Sequence, residues 1–259
     1  MLTAQPETLV RDVMRKDVDK VSADASEHDV LTLFERRDLI SVAVVGEGDA
    51  LLGRICIDDV VDLIREEAEH SMMKQAGLGE EEDLFAPVMP SAKRRGVWLG
   101  INLVTVFLAA WVIGQFEEVL EKFVALAVLM PVVASMGGIA GSQTLTLTIR
   151  GLALDQIAKS NVRWLTLKEI GVGSLNGLVW SLVVALVAFL WFEDAGIALI
   201  IAVAMVLNLL AAAISGVSIP LVLNRLGIDP ALSGAVVLTT VTDIIGFLSF
   251  LGLATVFLL

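Results

Sequence analysis

The stretch LAVLMPVVASMGGIAGSQTLTLTIRG, residues 126–151, decides the fold of this chain. It is long enough to cross the ~30 Å hydrocarbon core of a bilayer as a helix. Pro131 removes a backbone donor, and Gly137, Gly138, Gly141 and Gln143 follow it. Irregular or polar backbone survives at this depth only when it is buried in protein or lines a watery cavity. We therefore expect the three glycines to admit only hydrogen or to present their carbonyls, with packing through small residues as the alternative.

Apolar segments of similar length lie on both sides of this stretch, and each is long enough for a membrane-spanning helix. In the third segment, Gly173 and Gly177 have the spacing that is typical of close helix packing. The predicted fold class is an α-helical polytopic membrane protein with five transmembrane helices. The five segments are Val97–Gln115, Phe123–Ile149, Ile170–Phe192, Gly196–Leu223 and Leu232–Leu258.

Acidic residues are concentrated in the first third of the chain, although 56% of the whole chain is hydrophobic. Residues 1–90 hold 21 Asp or Glu and 9 Lys or Arg, whereas residues 91–259 hold 9 of each. This asymmetry predicts a water-exposed domain ahead of a lipid-exposed one. Because an acidic surface repels phosphates, nucleic acid is not an expected partner. The predicted domains are residues 1–70, an acidic connecting helix or linker over 71–95, and a membrane domain over 96–259.

Basic residues mark one side of the predicted membrane domain, whereas the opposite side has only Lys122 among several acidic residues. By the positive-inside rule the basic side is cytoplasmic. The N-terminal domain is then cytosolic and, after an odd number of spans, Leu259 is outside. We expect a multi-pass protein of the inner membrane, with lipid around it. The basic residues on the cytoplasmic side are Lys93, Arg94, Arg95, Arg150, Lys159, Arg163, Lys168 and Arg225.

Asp243 is the only ionisable residue deep in any predicted segment, and Thr239 and Thr240 precede it. A charge in the bilayer centre costs about 2.5–3.5 kcal/mol on insertion scales, so such residues commonly mark an ion pathway. No intramembrane Lys, Arg or His is available to pair with it; a protonated, hydrogen-bonded Asp is the alternative. Residues 91–259 contain no His or Cys, which favours a hard cation over Zn²⁺ or Cu. Two copies of Asp243 across a symmetric dimer would face a hydrated divalent ion.

The first third contains a hairpin followed by a helix. Residues 41–57 read SVAVVGEGDALLGRICI, and Val60, Ile64 and Ala68 follow at helical spacing. This unit resembles a cystathionine-β-synthase (CBS) domain, a small α+β domain in which a Thr and an Asp of G-x-I-T-x-x-D can hold a nucleotide ribose. Cys56 stands in place of that Thr, which counts against ATP as a ligand. CBS units usually occur in pairs, and residues 1–14 resemble the tail of a preceding unit, so the chain looks truncated at its N-terminus.

The CBS unit, the Gly-rich second segment, LGIDPAL before the fifth segment and TDIIG around Asp243 closely resemble the MgtE family of magnesium channels and transporters. The resemblance implies Mg²⁺ transport through a pore at a homodimer interface, with pore residues drawn from the second and fifth segments. It also implies closure by cytosolic Mg²⁺. The implied pore positions are Asp243, Thr239, Thr240, Gly137, Gly138, Gly141 and Gln143.

Three departures from the family pattern bear on selectivity and sensing. The family motif GGNxGNQ appears in this chain as GGIAGSQ over Gly137–Gln143. An Asn-Pro pair expected in the fifth segment is replaced by Ala235-Val236, and an expected carboxylate pair is replaced by His70-Ser71. The helix after the hairpin still carries acids spaced by three or four residues, whose mutual repulsion a bound Mg²⁺ would relieve. A solvated helix face is the alternative. The candidate sensing residues are Asp59, Asp62, Glu66 and Glu69.

Other functions compete with Mg²⁺ transport. A transporter of Co²⁺ or Mn²⁺, or a coupled Mg²⁺ exporter, would use the same residues. A sensor without flux of its own is a further alternative. An intramembrane metalloprotease would need H-E-x-x-H within a span, but the only histidines are His28 and His70. We therefore expect neither an enzyme nor a protein substrate.

Overall fold

The computed structural model describes residues 8–9, 12, 14, 18–78, 84–154 and 156–259. The chain divides into two compact units, Met1–Met72 and Met73–Leu259. Most of the predicted remnant over residues 1–14, and residues 79–83 of the predicted linker, lie outside the described residues.

The first unit is a three-stranded sheet with helices. Its strand order is β1-β2-β3, with β1 parallel and β3 antiparallel to β2. Ser26 caps α1 by accepting a hydrogen bond from the Asp29 N–H at 3.2 Å. The core consists of Val21, Val30, Phe34, Val42 and Val60. The elements are β1 (Lys20–Ser22), α1 (Glu27–Arg37), β2 (Ser41–Val45), β3 (Leu51–Cys56) and α2 (Ile57–Gln75).

Among its described residues, the second unit contains five helices that are long and apolar enough to cross a membrane, as predicted. A short helix, α4 (Glu117–Lys122), follows the first of them. Two of them begin eight or nine residues before the predicted apolar runs, because charged residues in an end turn interrupt hydropathy without interrupting a helix. The five helices are α3 (Val88–Gly114), α5 (Val124–Ala153), α6 (Val162–Phe192), α7 (Ala195–Arg225) and α8 (Pro230–Leu258).

Helix α7 is the centre of the second unit, since it packs against α5, α6 and α8. Small residues permit these close approaches. A Cβ on Gly173 of α6 would lie 2.8 Å from the Ala213 Cβ, and one on Gly177 would lie 3.4 Å from the Val206 Cα. The two glycines therefore serve helix packing, as their spacing predicted.

One expectation about the second span is wrong. The sequence led us to expect irregular backbone after Pro131, but α5 is helical without interruption from Val124 to Ala153. A proline removes one donor from the helical ladder. In this span that loss does not end the helix. The three glycines of α5 consequently lie on a regular helix rather than in a break.

Candidate cation pathway

Asp243 lies in the middle of α8, and its side chain is half-buried within the single chain. No hydrogen bond or ion pair involving its carboxylate occurs among the described residues. Thr239 and Thr240, one turn earlier, are also half-buried. The predicted carboxylate and its two hydroxyls thus share one partly open region of α8.

The two threonines use their hydroxyl hydrogens inside the helix. The Thr239 hydroxyl donates to the carbonyls of Ala235 and Val236, both at 3.1 Å, and the Thr240 hydroxyl donates to the Val236 carbonyl at 2.7 Å. A hydroxyl has one hydrogen and two acceptor lone pairs. Each threonine oxygen therefore keeps acceptor capacity for a cation or for the water of a hydrated cation.

The glycines of α5 differ in how closely other helices approach them. A Cβ on Gly141 would lie 3.0 Å from both Cδ atoms of Leu238 on α8, so α8 lies against this glycine. A Cβ on Gly138 would meet only the Thr239 Cγ2, at 4.0 Å, which is an ordinary contact distance. The expectation that only hydrogen fits holds for Gly141 and fails for Gly138, because α8 is farther from α5 at that position.

Polar groups of α5 face two ways. Ser142 and Gln143 are exposed in the single chain, whereas Thr144 is buried. The Ser142 hydroxyl donates to the Gly138 carbonyl at 2.6 Å, so that carbonyl already has a partner besides the helical ladder. The Gln143 amide is therefore more available to a ligand than the glycine carbonyl is.

Asn208 of α7 is a buried polar residue that the sequence analysis did not single out. Its side chain is fully buried, and its Nδ2 donates to the Val133 carbonyl of α5 at 2.8 Å. Its Oδ1 is the one buried side-chain N or O atom without a hydrogen-bond partner in the part of the chain described. A buried unpaired acceptor costs about 1–3 kcal/mol. An amide in the middle of the most apolar span was the available signal.

Glu169 is a buried acid that the sequence did not indicate, because the predicted apolar segment begins at Ile170. It lies in α6, is 4% exposed, and accepts a hydrogen bond from the Thr144 hydroxyl at 3.0 Å. Lys168 bonds its other oxygen at 2.6 Å. Glu169 precedes Gly173 and Gly177 at intervals of four, and that stripe could have predicted its burial.

The four acidic candidates for sensing lie on α2, and all are exposed. Two of them have partners: Asp59 accepts from the Cys56 N–H at 2.9 Å, and Glu69 bonds Arg65 at 3.1 Å. Among the described side chains, the group of three or more that could hold one metal ion together consists of Cys56, Asp58 and Asp59. It is not the predicted set of four acids.

Comparisons with known proteins match a known family within each of the two compact units. Residues 130–253 match the MgtE family, described as a divalent cation transporter, and residues 10–66 match the CBS domain. The whole chain is 33% identical to the magnesium transporter MgtE of Bacillus subtilis and 33% identical to that of Thermus thermophilus. It covers 57% and 58% of those two relatives. A third relative, the magnesium transporter MgtE of Enterococcus faecalis, is 28% identical and is covered to 57%.

Proposed function

We propose that this chain, which belongs through residues 130–253 to the MgtE family of divalent cation transporters, moves Mg²⁺ across a membrane along a pathway beside Asp243. The observation that carries the proposal is a half-buried carboxylate in an apolar helix, with no partner among the described residues. A carboxylate at such a depth is costly and commonly marks an ion pathway. The relatives named magnesium transporter support Mg²⁺ as the substrate.

The oxygen chemistry of the region suits Mg²⁺. This ion prefers oxygen ligands, keeps several of its waters and needs few direct carboxylates. Asp243 supplies the charge, and the acceptor lone pairs of Thr239 and Thr240 can hold water molecules of the hydrated ion. The Gln143 amide of α5 offers another oxygen. Residues 91–259 contain no His or Cys, which disfavours Zn²⁺ and Cu.

A homodimer would complete the pathway. Asp243, Thr239 and Thr240 are only half-buried in one chain, and Ser142 and Gln143 are exposed. Polar groups in a bilayer need protein or water around them. A second copy related by twofold symmetry would cover this region and bring a second carboxylate to the same ion, as the commonest oligomer symmetry allows.

The isosteric variant Asp243→Asn tests the proposal. Coulomb's law gives ~2 kcal/mol between a carboxylate and a divalent ion at about 4 Å in water, and more in a lower dielectric. Loss of the charge should therefore weaken cation binding at least about tenfold. Mg²⁺ uptake into proteoliposomes, followed with a Mg²⁺-sensitive dye, measures the effect. Ser249→Ala is the matched control, because it removes a polar group from the same helix.

Asp243→Asn should lose uptake while Ser249→Ala keeps it, at equal amounts of inserted protein. Wild-type uptake by Asp243→Asn would refute the assignment of the pathway. Equal loss in both variants would also refute it, because the helix rather than the carboxylate would then be responsible.

A transporter of other divalent cations is the second candidate, since the matched family is described more broadly than Mg²⁺. Co²⁺ and Mn²⁺ would use the same carboxylate, and a coupled Mg²⁺ exporter would also do so. Competition of each ion against Mg²⁺ uptake distinguishes the substrates. Uptake measured with and without a proton or sodium gradient distinguishes a channel from a coupled carrier.

Regulation by cytosolic Mg²⁺ is a further part of the proposal. Asp59, Asp62, Glu66 and Glu69 are exposed at helical spacings of three or four on α2. Like charges at that spacing repel by about 0.2–0.5 kcal/mol per pair, so a divalent ion is favoured near them. The basic residues flanking the spans support a cytosolic position for this acidic unit.

The combined variant Asp59→Asn, Asp62→Asn and Glu66→Gln tests this regulation. Millimolar Mg²⁺ should protect α2 of the wild type from proteolysis and silence its uptake. The variant should stay active at the same Mg²⁺ concentration. Neutralising the same number of acids on α1 provides the control, and equal inhibition of all three proteins would reject α2 as the sensor.

A further inference from the structure

Asn208 joins three helices at the level of the proposed pathway. A Cβ on Gly137 of α5 would lie 2.3 Å from the Asn208 Nδ2 and 2.8 Å from its Cγ. A Cβ on Gly246 of α8 would lie 2.8 Å from the same Nδ2. The amide of α7 therefore contacts two glycine backbones, one on each neighbouring helix, where no side chain fits.

This junction adjoins the residues assigned to the cation. Gly246 follows Asp243 by one turn of α8, and Gly137 precedes Gly138, whose nearest neighbour on α8 is Thr239. The Asn208 Nδ2 also donates to the Val133 carbonyl on α5, so the amide fixes α5 by a hydrogen bond as well as by contact. The separation of α5 and α8 beside Asp243 therefore depends on this side chain together with the direct contact of Leu238 with Gly141.

Stability alone does not account for an asparagine at this position. Its Oδ1 is buried without a partner among the described residues, although an apolar residue would leave no acceptor unpaired. Polar residues inside a membrane are costly and are commonly functional. Mutation of groups that orient a metal site typically changes metal affinity by about 10–100-fold.

We propose that Asn208 is a positioning residue for cation transport, which sets the distance between α5 and α8 next to Asp243 through its contacts with Gly137, Gly246 and the Val133 carbonyl. The proposal rests on the proposed function, because the group positioned is the transport carboxylate. It assigns no ligand role to Asn208 itself, since the amide is fully buried.

Three variants separate the amide from the volume it occupies. Asn208→Asp keeps the shape but replaces the amide nitrogen with a carboxyl oxygen. Asn208→Ala removes the amide, and the double variant Gly137→Ala, Asn208→Ala places a methyl group in the vacated space. We expect the apparent KM for Mg²⁺ in proteoliposomes to rise about tenfold or more in all three. The unfolding transition of Asn208→Asp gives the control for folding.

A cross-link reports the helix separation without reference to transport. In a Cys56→Ser background, the double variant Gly138→Cys, Thr239→Cys should form an intramolecular disulfide on oxidation, because a Cβ at position 138 would lie 4.0 Å from the Thr239 Cγ2. The yield should fall in Asn208→Asp and in Asn208→Ala. If the wild type carries no Mg²⁺, the proposed function fails, and this yield alone decides the role of Asn208.

The inference is overturned by either of two results. A double variant that regains the wild-type KM would show that Asn208 only fills space. If both single variants cross-link with the same yield as the double-cysteine protein that retains Asn208, the amide does not set the separation of α5 and α8.

Discussion

Gly141 and Gly138 lie on the same helix but should respond differently to the same added methyl group. A Cβ on Gly141 would lie 3.0 Å from both Cδ atoms of Leu238 and 3.1 Å from its Cγ. Leu238 is fully buried, so it cannot turn away into open space. Overpacking of this kind costs about 1–3 kcal/mol. Gly141→Ala should therefore destabilise the folded protein by about that amount.

Gly138→Ala is the matched control for this prediction. Its Cβ would meet only the Thr239 Cγ2, at 4.0 Å, so no atom has to move. Replacing a helical glycine by alanine also favours the helix by up to about 1 kcal/mol. Gly138→Ala should be neutral or slightly stabilising.

Reversible unfolding of both purified variants in mixed detergent micelles, followed by circular dichroism, gives the two free energies of unfolding. The reasoning requires Gly141→Ala to be less stable than Gly138→Ala by at least about 1 kcal/mol. Equal stability of the two variants would refute it, because α8 would then not be in close contact with Gly141. A Gly138→Ala variant as unstable as expected for Gly141→Ala would refute it equally.

Two further pairs of helices can be tested in the same way. Gly173→Ala should lose about 1–3 kcal/mol of folding free energy, since its Cβ would lie 2.8 Å from the Ala213 Cβ, whereas Gly171→Ala, with no described atom within 4 Å of its Cβ, should be neutral. Thr144→Val should lose a similar amount of folding free energy, because it leaves a buried oxygen of Glu169 without its donor. A free energy of unfolding in micelles equal to that of the wild type would contradict this expectation.

The sequence predicted the helices of the membrane unit well because hydropathy is a local property. Each apolar run coincides with a helix, but the run marks where lipid begins rather than where the helix begins. Helix α6 begins at Val162, eight residues before the predicted Ile170, and the intervening turns include Glu169. The acid in those turns lies outside the apolar run, although the helix buries it against Thr144.

Contacts between distant segments could not be read from local patterns. Strand β1 has only three residues, and its identity as a strand depends on parallel pairing with β2. Asn208 resembles an isolated polar residue in an apolar run until the fold places it against Gly137 and Gly246. Pro131 illustrates the opposite error, because a local rule predicted a broken span, whereas α5 continues through it as a helix.

The three glycines of the α5 motif do not all have the same role. Two are required by helix packing, and one leaves space beside the proposed pathway. Gly137 and Gly141 face other helices, where a side chain would overlap Asn208 or Leu238, so they are required by packing. Gly138 lies beside Thr239 with room for a methyl group, and a packing requirement does not explain it. It lies at the edge of the half-open region that contains Asp243, where a small residue leaves space for a hydrated ion. A side chain larger than alanine at 138, as in Gly138→Val, should therefore reduce Mg²⁺ uptake, whereas alanine at 141 should lower stability first.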